Sequence, residues 1–178
     1  MNKNIAALFK LFILVNILIL ALMSMPEHAS AVENSVIWKH QVPGNFASVV
    51  DKVKTGLEGA QFLISSEEDL AKGLANNKHI LGGEKGWNTI GFAQARAIHF
   101  CSIVFNHEAF NIDMDLSYLC PFKVVVYSMK KSPQNVSIIT VRPTYLLRND
   151  KRKNVVDLGR RIEKRITDAI MSGIKPGL

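Results

Sequence analysis

The chain holds two cysteines, and each stands beside residues that can share chemistry with a thiol. Cys101 closes the run Ile98-His99-Phe100-Cys101, and Cys120 opens Cys120-Pro121-Phe122. In an extended segment side chains alternate, so His99 and Cys101 project from one face and Ile98 and Phe100 from the other. Three kinds of chemistry fit this arrangement. A disulfide between Cys101 and Cys120 would close a loop of about 20 residues and stabilise the fold by about 3 kcal/mol. Pro121 holds Cys120 in extended backbone, which limits where its sulfur points. A soft metal such as zinc could instead take His99, Cys101 and Cys120, with His107 completing a tetrahedral set, although the spacing matches no structural zinc motif. Cys101 could also be a redox or nucleophilic thiol with His99 as base and Cys120 as resolving partner. Against that, Ile98 and Phe100 suggest a buried strand and there is no Cys-x-x-Cys. Two inert, packed thiols complete the alternatives. The bridge leads among them, because both cysteines fall at strand edges.

The N-terminus bears on this choice. Lys3 and Lys10 precede an apolar stretch over residues 11–23, and Pro26 leads into Ala29-Ser30-Ala31. That is the pattern of a secretory signal peptide over residues 1–31, cleaved after Ala31. A retained N-terminal membrane anchor starting at Ile5 is the alternative, but Lys10 and Asn16 interrupt it. No cysteine lies near the cleavage site, which excludes a lipid-anchored form. A periplasmic or secreted destination is one where disulfides persist. Residues 32–178, 147 in number, make one domain, large enough to fold without staples.

The mature stretch alternates strands and helices. Residues 36–42 read as a strand closed by Pro43-Gly44, and Asn45 caps a helix with Phe46, Val49, Val50, Val53 and Leu57 on one stripe. Residues 61–65 read as a short strand, and Ser66-Glu67-Glu68-Asp69 reads as the capped, acidic start of a helix ending at Asn76-Asn77. Residues 82–91 form a glycine-rich loop around Trp87, which could close over a ligand. A strand over 95–101, a helix over 102–110 and strands over 122–128 and 136–142 follow. The last two are the most β-branched segments and belong at the centre of the sheet, with residues 130–135 as their hairpin loop.

A long helix over 150–171 ends the domain, with Val155, Leu158, Ile162, Ile166 and Ile170 on its buried stripe. Residues 32–141 carry ten basic and ten acidic side chains, whereas residues 142–178 carry ten and four. The whole mature excess of +6 therefore lies in the last fifth of the chain, where this helix carries seven of the ten basic side chains. Arg160, Arg161, Lys164 and Arg165 could dock to an anionic partner or membrane surface, or simply face water with i,i+4 pairing. Nucleic acid is disfavoured, since no stacking aromatics interleave with these charges.

Other signals are negative. Neither G-x-x-x-x-G-K-[ST] nor G-x-G-x-x-G occurs, and neither Gly-x-Ser-x-Gly nor His-Glu-x-x-His is present. Asn111-x-Asp113-x-Asp115 lacks the glycine and the closing glutamate of a calcium loop. No motif requires a cofactor.

The run His99-Phe100-Cys101-Ser102, the run 120–127 opening on Cys-Pro-Phe, and the strand over 136–143 together resemble the domain of unknown function 302, a small bacterial domain. The resemblance spans nearly all of the mature chain. It implies an α+β fold of two layers, helices packed on a largely antiparallel sheet, and leaves room for a homodimer. It supplies no reaction.

The function these observations favour is an exported, non-catalytic protein that binds a small ligand or an envelope protein. A thiol- or metal-dependent redox protein using Cys101, Cys120 and His99 is one alternative. An adaptor docking to anionic envelope surfaces is another.

Overall fold

Strand β4 (Phe122–Met129) alternates buried and less buried residues along its whole length, the signature of a central strand covered chiefly on one face. The computed structural model describes residues 35–175, so the signal peptide expected over residues 1–31 lies outside the described residues. In chain order the elements are β1 (Ile37–Pro43), α1 (Phe46–Gly59), β2 (Leu63–Asp69), α2 (Leu70–Asn76) and the single turn α3 (Gly83–Gly86). They continue with β3 (Phe92–Cys101), α4 (Ile103–Ile112), β4, β5 (Ser132–Val141), the short α5 (Pro143–Leu146) and α6 (Lys153–Ile174). A 3₁₀ helix over Met114–Leu119 links α4 to β4. The five strands form one antiparallel sheet in the order β1-β5-β4-β3-β2, which places β4 at its centre.

The register decides which residues meet the helices. Ile98 faces Val124, Phe100 faces Phe122, and Val126 faces Ile138 across neighbouring strands. All six are buried. Phe62, Phe100 and Phe122 gather into an aromatic cluster with ring centroids 5.2 to 6.3 Å apart, a geometry that adds edge-to-face attraction to burial. Onto this face α1 lays Phe46, Val49, Val53 and Leu57, and α6 lays Val155, Leu158, Ile162, Ile166 and Ile170. Removing such side chains from water stabilises by about 1.5 to 3 kcal/mol each.

Three local expectations are corrected. Ser66, Glu67, Glu68 and Asp69 continue β2 instead of starting a helix. Their acidic run looks helical, yet Glu67 is held by Lys54 at 2.9 Å and by Arg96 of β3 at 2.6 Å. Those two cations keep the Glu67 carboxyl below its ordinary range, with the Lys54 hydrogen bond the larger influence. Asp69 is the cap, accepting from the Lys72 amide at 2.8 Å, so α2 begins at Leu70. Likewise β5 starts at Ser132, within the expected hairpin loop. Pro133 is tolerated there because the β1 partners reach only to Asn135. Finally, α6 starts at Lys153, since Asp150 turns back to accept from the Arg152 amide at 2.8 Å.

Helices α1 and α6 run antiparallel in close contact at two glycines. A methyl group on Gly56 would collide with the Ala169 carbonyl oxygen, and one on Gly173 with the Lys52 carbonyl oxygen. Overpacking of this kind costs about 1 to 3 kcal/mol. Gly173→Ala is therefore expected to lower the urea-unfolding free energy by about 2 kcal/mol, and an unchanged midpoint would contradict the close crossing. Among the described residues no helix is long and apolar enough to cross a membrane.

Candidate functional site

Strand β3 runs out at Cys101, and the 3₁₀ helix delivers Cys120 to the same end of the sheet. Their Cα atoms are 5.7 Å apart, at disulfide distance. The Cys120–Pro121 peptide bond is cis. His99 follows the alternation expected for it, on the opposite face from Ile98 and Phe100. Its Nδ1 lies 3.0 Å from Ser66 Oγ on β2, and Lys123 is its neighbour on β4. His107 sits on α4 beside Asn111, whose Nδ2 is 3.2 Å from its Nε2. Among the described residues no three of His, Cys, Asp and Glu gather as a metal-binding group.

The segment that follows Cys120 builds a concavity of about 310 Å³. Tyr118 and Leu119 form one wall from the 3₁₀ helix, and Pro121, Phe122 and Lys123 form the floor at the start of β4. Thr140 and Val141 close it from β5, with Pro143 and Leu146 of α5 opposite. Most of this surface is aliphatic or aromatic carbon. The Thr140 hydroxyl is engaged, donating to the Lys123 carbonyl at 2.8 Å. Lys123 makes no ion pair among the described residues. Burial raises the Tyr118 phenol above its ordinary range and the Asp150 charge adds to this, so it stays a neutral hydrogen-bond donor.

Helix α5 is held over the concavity from a distance in sequence. Arg142 offers no side-chain cap to it. Glu163 of α6 does that work, accepting from the Thr144 amide at 3.1 Å and from the Thr144 hydroxyl, while its other oxygen takes the Arg142 Nε at 2.7 Å. Both charged side chains are largely buried, at 13% and 14% exposure.

The family model for a domain of unknown function, DUF302, matches residues 38–172. The chain belongs to the DUF302 family. The crystal structure of an uncharacterized conserved DUF302 protein from Bacillus stearothermophilus is similar, with a TM-score of 0.64 over 77% of this chain and 97% of that one. At 16% identity that likeness is one of fold. Comparison with curated proteins gives no match.

In this DUF302 chain Trp87 follows α3 and packs edge-on to Phe92 at 5.6 Å, with Lys130 Nζ 5.9 Å from the indole centroid. It borders a smaller cleft of about 270 Å³ with Phe46, Lys72 and Arg96. The basic residues of α6 do not form one unpaired patch. Arg160 meets Asp157 at 2.6 Å, Arg161 meets Glu108 across to α4 at 2.9 Å, and Lys164 meets Asp168. Arg165 instead donates to the Ala60 carbonyl at 3.2 Å, beyond the end of α1. The residues that sequence reasoning missed are Tyr118, Lys123 and Leu146. They come from three separate elements, and the one available signal was Pro143, a residue suited to a first helical position.

Proposed function

We propose that this DUF302 chain is an exported, non-catalytic binding protein whose concavity beside Cys120 takes a small apolar molecule bearing an anionic group. The observation that carries this reading is a mostly apolar concavity of about 310 Å³ that Lys123 helps to line, a residue whose side chain makes no ion pair among the described residues. Sites of this composition bind through apolar area and orient the ligand by a few polar groups. Lys123 supplies the attraction for an anion and the neutral Tyr118 phenol a hydrogen-bond donor. The three polar side chains there do not hydrogen-bond one another as nucleophile and base, which favours binding over catalysis. The N-terminal signal pattern and the close cysteine pair both support export.

A fluorescent probe of matching chemistry, 8-anilinonaphthalene-1-sulfonate, tests the site. The folded protein should bind it at one site and release it to octanoate. Lys123→Glu is expected to weaken binding at least tenfold, and Leu146→Trp, which fills the concavity, should abolish it, both with unchanged far-UV circular dichroism. Binding that survives both substitutions, or no binding by the parent protein, sinks the proposal.

A further inference from the structure

We infer that a second site, on the outside of the α1–α6 pair, binds a phosphate ester. The inference is independent of the concavity beside Cys120. Where Gly56 and Gly173 let the helices touch, no side chain fills the space alongside, leaving a cleft of about 640 Å³. Lys52, Arg165 and Lys175 line it, and none of the three makes an ion pair among the described residues. Among the described residues Asp168 is the one carboxylate on the wall, and Lys164 already neutralises it. Most basic side chains of α6 stand in ion pairs, so an unmatched group of three is a local exception.

The donor geometry suits phosphate. Arg165 directs one Nη2 hydrogen to Ala60, and its guanidinium has further N–H groups to offer an anion, while two ammonium groups act as point charges. Thr55 and Ser172 add hydroxyl donors on the same walls. A methyl group on Gly59 would meet nothing within 4 Å, so a ligand can approach the backbone there. The volume exceeds that of a bare phosphate, which points to an ester whose alcohol portion occupies the remaining space. Cations near helix C-termini can also serve only to complement the helix dipoles, and the experiment separates the two roles.

The parent protein is titrated calorimetrically with glycerol 3-phosphate, and its flotation with vesicles of phosphatidylcholine containing phosphatidylglycerol is measured. The variant Lys52→Gln/Arg165→Gln/Lys175→Gln is compared with the control Lys153→Gln/Arg160→Gln/Arg161→Gln, whose residues lie outside the cleft, and Lys52→Glu alone guards against a folding defect in the triple variant. Saturable binding in the soluble arm identifies a free phosphate ester, and binding in the vesicle arm alone identifies a lipid headgroup. In either case the site variant should lose at least tenfold and Lys52→Glu at least threefold, with the control within twofold. Equal losses in the site and control triples would show a diffuse field, and no loss would show cations that merely serve the helix ends. Either result, or no binding in both arms, overturns the inference.

Discussion

Glu163→Ala should lower the unfolding free energy by about 3 kcal/mol, a large fraction of the stability of a domain this size. The carboxylate is 14% exposed and meets the Arg142 guanidinium, the Thr144 amide and the Thr144 hydroxyl together. Removing it strips an opposite charge from a guanidinium that is 13% exposed and takes the acceptor from the first turn of α5. Breaking a buried pair from one side costs more than the pair contributes, because the surviving charge stays desolvated. Glu163→Gln keeps an acceptor for Thr144 and should fall about halfway between. Urea unfolding of the two variants checks the order. If alanine and glutamine variants both lie within about 0.5 kcal/mol of the parent, the buried pair is not what fastens α5. The effect should reach the concavity too, since Pro143 and Leu146 form one of its walls.

This contact shows where reading the sequence stops. Glu163 lies on an obvious amphipathic helix, and its neighbours Arg160, Arg161 and Lys164 invite a reading as a solvated charge run. Nothing local reveals that it caps a turn 19 residues earlier in the chain. The helix stripes were legible because burial repeats with the helical period, as for Val155, Leu158 and Ile162. The central strands were legible because β-branched residues crowd them. Those patterns located the elements, and the two-layer α+β architecture was what the family resemblance implied. Ser66 to Asp69 misled because an acidic run means a helix start when read alone and a strand when Lys54 and Arg96 sit opposite. The cleft cations are a stronger case of the same limit: Lys52 and Arg165 stand on different helices, brought together by the crossing at Gly56 and Gly173. Of the four basic residues that the sequence picked out on α6, that cleft uses Arg165 alone.

The other large effect concerns the cysteines. On the export proposed above, protein expressed from the full chain should have an intact mass corresponding to residues 32–178 less two hydrogens, and reduction under denaturing conditions should restore them. The double variant Cys101→Ser/Cys120→Ser should unfold about 3 kcal/mol more easily, because the bridge closes a loop spanning 19 positions and restricts the unfolded chain. The loss should concentrate in that loop. Between the two cysteines Ala109, Leu116 and Leu119 bury apolar side chains, whereas Ile103, Val104 and Met114 are each more than 60% exposed. So little burial leaves α4 and the 3₁₀ helix dependent on the bridge and on the Arg161–Glu108 and Arg152–Asp113 pairs. Hydrogen exchange in the variant should therefore quicken over residues 102–119 before it quickens in β4 or β5. Because Tyr118 and Leu119 wall the concavity, probe binding should weaken in the same variant even where the sheet stays folded. A variant with parental stability and exchange would assign the cysteines some role other than bracing, and a thiol that cycles under mild reductant in the folded protein would return them to redox chemistry.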